Sequence, residues 1–183
     1  MIADDPACVH QRGGDGQTPL HFATSRRVID LLLADEPTAR VVLGDHPGVI
    51  ASMQPDDHRV ISDAAWNGDA AAVALMLDLG FDPRTPGHDS GSALHCAAWQ
   101  GSAETVRALL MHDRGRALLE SRDARYDFTP LGWCCHGSRH GNTSRDHAGV
   151  ASLLLEAGAQ LGTDTREASP SVERVLARWR RAR

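Results

Sequence analysis

The sequence predicts an all-α fold: a solenoid of stacked helix–turn–helix units with projecting turns between them. Three observations predict it. The phrase Ile61-Ser62-Asp63-Ala64-Ala65-Trp66-Asn67-Gly68 returns as Leu94-His95-Cys96-Ala97-Ala98-Trp99-Gln100-Gly101, which sets the two Trp residues 33 positions apart. A recurrence of that length marks a small unit stacked on its copies. Each copy is followed by apolar residues spaced three and four apart, as in Val73, Met76 and Leu77 or Val106, Leu109 and Leu110; this is the stripe of an amphipathic helix. Aromatic residues make up only 4% of the chain, fewer than a large globular core usually needs, whereas thin layers can be filled with Ala and Leu.

Taken in order, residues 1–9 read as the tail of an outer helix whose partner is absent. A first unit is expected near 16–34, with Thr18 as N-cap, Pro19 in the first helical turn and Val28–Leu33 as its second helix. Only four residues separate Ala23 from Val28, so its inner helix is expected to be short. Residues 35–57 are a doubtful unit, partly helical around Ala39–Leu43 and Val49–Met53. The clearest units lie near 58–80 and 91–111. Gly68 and Gly101 are placed to end their inner helices in a left-handed backbone, and Gly80 to end an outer one. The stretch from Phe81 to Gly91, rich in Pro, Gly and Asp, reads as a projecting turn. Residues 111–127 are enlarged, with an extra turn expected at Arg116–Glu120. A fourth unit is expected near 128–158, opened by Thr129-Pro130 and closed by Gly158, and residues 137–149 are expected to bulge between its two helices. Residues 166–183 are expected to form a capping helix starting at Ser169-Pro170, with Val172, Val175, Leu176 and Trp179 on one stripe. Such a cap covers the apolar face that a terminal unit would otherwise expose.

These residues resemble the ankyrin repeat. The match is carried by Thr-Pro-Leu-His-x-Ala at 18–23, Leu-His-x-Ala-Ala at 94–98, Thr-Pro-Leu at 129–131 and Leu-Leu-Glu-Ala-Gly-Ala at 154–159. The resemblance spans roughly residues 13–165. It implies an all-α ankyrin-type domain over residues 1–165 that recognises another protein, or another domain of a longer chain that it regulates or scaffolds. It further implies that inner-helix positions face a concave groove. The binding surface expected on that basis comprises Asp63, Trp66, Asn67, Cys96, Trp99, Gln100, Trp133 and His136. Trp is common among residues that dominate interface energy; the competing reading packs both indoles against neighbouring helices or turns. His21 and His95 are expected to be structural, bonding turn backbone so that one unit is tied to the next. Ser62 and Gly132 stand at that position in the other copies, and those joints are expected to be less well fixed.

Other function classes find less support. The net charge is -5, without the basic footprint that nucleic-acid binding needs. The basic tail (Arg174, Arg178, Arg180, Arg181 and Arg183) reads as a solvated helix end. No run of 18 apolar residues suggests a membrane span, and no signal peptide is expected. Cys8, Cys96, Cys134 and Cys135 show no disulfide spacing, so reduced thiols in a cytoplasmic monomer are expected. Cys134, Cys135, His136, His140 and His147 invite a zinc reading, and a small enzyme or metal-binding protein using residues 134–147 is the remaining alternative. Cys134 and Cys135 replace the paired Ala residues of the other copies, however, and so read as small buried fillers. No metal or other cofactor is expected. Cys96 and His95 are sequence neighbours that diverge on a helix, and no phosphate loop, His-Glu-x-x-His or Gly-x-Ser-x-Gly occurs; no catalysis is expected.

Overall fold

The computed structural model describes residue 37, residues 47–53 and residues 58–182. The expected first unit, with Thr18 and His21, and residues 1–9 lie outside the described residues, as does most of 35–57. Among the described residues, every regular element is helical. In chain order these are α1 (Pro47–Ser52), α2 (Val60–Asn67), α3 (Ala70–Leu79), α4 (Ala93–Trp99), α5 (Ala103–Met111), α6 (Asp113–Arg116), α7 (Pro130–His140), α8 (His147–Ala157) and α9 (Pro170–Ala182). Short 3-10 turns span His88–Ser90 and Thr163–Thr165.

The hairpins α2–α3, α4–α5 and α7–α8 stack in sequence order. The inner helices α2, α4 and α7 pack side by side, and so do the outer helices α3, α5 and α8. Close approach of the inner row depends on small side chains: Ala65, Ala97, Ala98, Cys134 and Cys135 are fully buried. Outer helices fill the space behind with Val73, Leu77, Val106, Leu109, Val150 and Leu154, all buried. Each such Leu or Val contributes roughly 1.5–3 kcal/mol through burial. α1 falls within the doubtful unit, and its flank adds buried Ile50 and Met53 to the same core. At the far end α9 packs on α8, with Val172 and Leu176 buried and Val175 and Trp179 partly so.

The helix ends follow from local chemistry. The Thr129 hydroxyl accepts from Gly132 N–H at 3.1 Å, with Pro130 in the first turn. Asp69 and Asp146 cap α3 and α8 in the same way. Gly68 and Gly101 end the two inner helices at φ 77° and 63°, a conformation in which a Cβ is strained.

Two irregular stretches differ from expectation. Hydrogen-bonded turns run through residues 117–120, as expected at Arg116–Glu120, and they are led by an additional short helix, α6. His112 caps it by accepting from Arg114 N–H, and Gly115 sits so close to the Leu109 carbonyl that a Cβ there would lie 2.2 Å away. Arg114 then reaches back a whole unit to the carbonyls of Leu77, Gly80 and Phe81, covering the open C-terminal end of α3. The expected bulge at 137–149 is smaller than its length suggests. α7 absorbs residues 137–140, and His147 turns inward, fully covered, with Nε2 2.8 Å from the Trp99 carbonyl oxygen.

That extension is possible because residue 137 is Gly. A Cβ there would stand 2.4 Å from the Trp99 carbonyl oxygen, a backbone atom that cannot step aside without moving α4. Gly137→Ala is expected to destabilise the chain by about 1–3 kcal/mol, as overpacking typically does. Urea unfolding would measure it, and an unchanged midpoint would show that the two helices are not in this contact.

Candidate binding groove

Trp66 lies in the last turn of α2 and Trp99 ends α4, so the repeated phrase delivers both indoles to corresponding places on neighbouring layers. Both are half-buried. The Trp66 ring stacks on His88 from the projecting turn, with centroids 4.2 Å apart. Trp99 meets Trp133 edge-on at 5.9 Å and His136 at 5.6 Å. Together with Asp89, Tyr126, Phe128, Trp133 and His136 they enclose a largely apolar cavity of about 300 Å³. One wall is inner helix and the other is turn.

Three expected groove residues do not present themselves to a partner. Cys96 is fully buried, because the projecting turn closes over it and its thiol donates to the Gly91 carbonyl at 3.8 Å. Trp133 is 4% exposed; its indole N–H donates to Asp123 Oδ2 at 2.9 Å, so it forms the floor of the cavity and not its rim. Asp63 is 9% exposed, with Arg59 and His88 nitrogens 3.6 and 3.7 Å from its carboxylate. Its charge serves the chain's own packing. Asn67 is exposed and Gln100 half-buried, but neither lines the cavity. Trp66, Trp99 and His136 are the expected residues that do so with part of their surface open.

The residues missed from sequence come from the turn before α7. Tyr126 is 49% exposed, Phe128 lies behind it, and Asp123 organises both. One carboxylate oxygen of Asp123 accepts from the N–H groups of Arg125 and Tyr126, and the other from Phe128 N–H and the Trp133 indole. Burial pushes this carboxyl up, but the Trp133 indole and those backbone donors outweigh it and hold the group below its ordinary range. An Asp two to five residues ahead of such donors is a turn signal visible in the sequence; its link to Trp133 is not. The outer edge of the turn is held by Arg125, which pairs with Asp89 of the preceding turn and lies 5.1 Å over the Tyr126 ring.

His95 ties this turn to the preceding unit. Its Nδ1 accepts from Ser92 N–H at 3.2 Å, so Nε2 bears the proton and donates to the Phe128 carbonyl at 3.0 Å. Where the other units lack this His, different groups serve. Ser62 Oγ donates to the Thr85 carbonyl at 2.7 Å. In the fourth unit Gly132 leaves room for Asp164, which accepts from both the N–H and the hydroxyl of Thr129. The expectation of loose joints at 62 and 132 is corrected on that ground.

Burial pushes the His95 imidazole below its ordinary value of 6.5, against the opposing influence of the Phe128 carbonyl. The folded protein therefore holds the ring neutral while the unfolded chain protonates first. The resulting stability is present above the unfolded value and falls as pH drops through it. Tm is expected to be lower at about pH 5.5 than at about pH 7.5, and His95→Asn is expected to flatten that dependence. An equally steep profile in the variant would assign the effect to another group.

The repeated hairpins, the Thr129-Pro130 helix start and the turns aligned along one groove agree with what known families show. Residues 61–165 match the ankyrin repeat pattern in three copies, and residues 15–41 match it once more. The chain belongs to the ankyrin repeat family. No curated protein matches it in sequence. Ankyrin repeats are generally protein-interaction modules. No described helix is long and apolar enough to cross a membrane. The three described thiols of this ankyrin stack are poor nucleophiles. Burial pushes Cys96 and Cys135 up to about 12 and Cys134 well above its ordinary value, and a thiol that stays protonated neither attacks nor ligates.

Proposed function

We propose that the chain is a cytoplasmic, monomeric recognition module, without catalysis, that binds an apolar or aromatic side chain of a protein partner in the Trp66–Trp99 cavity. The carrying observation is that two half-open indoles from successive layers and Tyr126 from a turn converge on one apolar recess. Rigid aromatic rings offer large contact area at low entropic cost. The recess sits on a stacked scaffold with few degrees of freedom to lose on binding. The buried thiols of Cys96, Cys134 and Cys135 suit a reducing compartment.

Selection of a phage-displayed random peptide library against the full chain tests this. The expected result is enrichment of peptides with a shared Trp, Phe or Leu, whose binding competes with one another at a single site. Enriched peptides that still bind Trp66→Ala and Trp99→Ala with full affinity would place recognition elsewhere.

A further inference from the structure

We propose that His136, His140 and Glu167 form a binding site for one divalent transition-metal ion, with Zn²⁺ as the best-suited ion. His136 and His140 are four residues apart on α7, which sets both imidazoles on one face of the helix. This is the spacing by which paired histidines on a helix chelate zinc. Their ring centroids are 4.4 Å apart. Glu167 comes from a separate segment, and its Oε2 lies 3.9 Å from His136 Nδ1. The ligand atoms of all three residues fall within 4.8 Å of one another. Tetrahedral ligands at Zn–N and Zn–O distances of about 2.0–2.1 Å stand roughly 3.3 Å apart. Small side-chain rotations close that gap, and His140 and Glu167 are exposed and free to make them.

The site is supported from beneath. The backbone that carries Glu167 is fixed on α7, because Ala168 is buried and Ser169 N–H donates to Ser138 Oγ at 2.9 Å. The carboxylate therefore starts from an anchored position. The donor set is two imidazoles and one carboxylate, which suits zinc and its transition-metal neighbours; magnesium and calcium prefer all-oxygen shells. Three protein ligands leave coordination positions for water or a partner's side chain. Since His136 also lines the aromatic cavity, the ion would sit at the rim of the groove. This donor set is distinct from the thiol-containing one considered from sequence. Cys134 and Cys135 point into the core, and His147 is taken up by the Trp99 carbonyl.

Isothermal titration of the full chain with ZnCl2, kept reduced by a non-chelating phosphine, tests the proposal. One equivalent should bind. His140→Ala and Glu167→Gln alter exposed side chains and should keep the helical circular dichroism, yet each should weaken Zn²⁺ by about tenfold or more. Excess Mg²⁺ should not compete. Co²⁺ in place of Zn²⁺ should give visible ligand-field bands without thiolate charge transfer. Absence of binding, affinity unchanged in both variants, or a thiolate band with Co²⁺ would each overturn the assignment.

Discussion

Asp123→Ala is expected to be the most damaging single substitution in the described fold. One buried carboxylate accepts from three backbone N–H groups and from the Trp133 indole. Removing it strands those donors, and an unsatisfied buried donor costs about 1–3 kcal/mol. Arg125 and Tyr126 are exposed and can turn to water, whereas Phe128 is half-buried and Trp133 buried. The net loss is therefore expected to be about 3–4 kcal/mol, lowering Tm by roughly 10 °C in a chain of this size. Asp123→Asn keeps an acceptor oxygen and should lose less. The sign with pH follows from the depressed carboxyl: its stabilisation is present above the ordinary Asp value and lost as pH falls through the folded one. Urea unfolding, with near-ultraviolet circular dichroism reporting Trp133, measures both effects. A loss under about 1 kcal/mol would mean that the turn does not depend on this group.

Trp66→Ala with Trp99→Ala is expected to remove recognition while leaving the fold. Truncating an interface hot spot costs about 2 kcal/mol or more, so a library-selected peptide should lose several hundredfold affinity for the double variant. Neither indole is fully buried, and the stack behind them is formed by other residues. The stability cost is expected to be modest. Trp99 does lose its edge-on contact with Trp133, worth about 0.5–1.5 kcal/mol, and Trp66 loses its stacking on His88. Helical circular dichroism should therefore be nearly unchanged. Collapse of the helical signal would make both residues part of the core.

The fold was legible because its determinants are local and repeated. Gly68 and Gly101, the Thr129-Pro130 start and the paired small residues each state one helix end or one close approach, and the family pattern is built from them. The groove was only half legible. Trp66 and Trp99 could be placed from the repeat register, but register alone does not tell which rings are covered. Trp133 occupies the row of Asp63 and Cys96, and all three are buried because the projecting turns close over that row. The contribution of Tyr126 and the organising role of Asp123 depend on how the 121–128 turn folds back, which no periodicity encodes. The pairing of His136 and His140 with Glu167 joins segments about 30 residues apart through the docking of residues 168–169 on α7, whereas spacing along the chain could offer only Cys134, Cys135 and His147 beside them.

Recognition in the recess between Trp66 and Trp99 has a direct spectroscopic consequence. The chain carries four Trp residues, each with one indole N–H, and these give separate signals in a nitrogen–proton correlation spectrum. Titration with a selected peptide should move the Trp66 and Trp99 signals strongly and leave that of Trp179, which lies on the cap helix α9, in place. Movement of Trp179 with Trp66 and Trp99 unchanged would place recognition outside the recess.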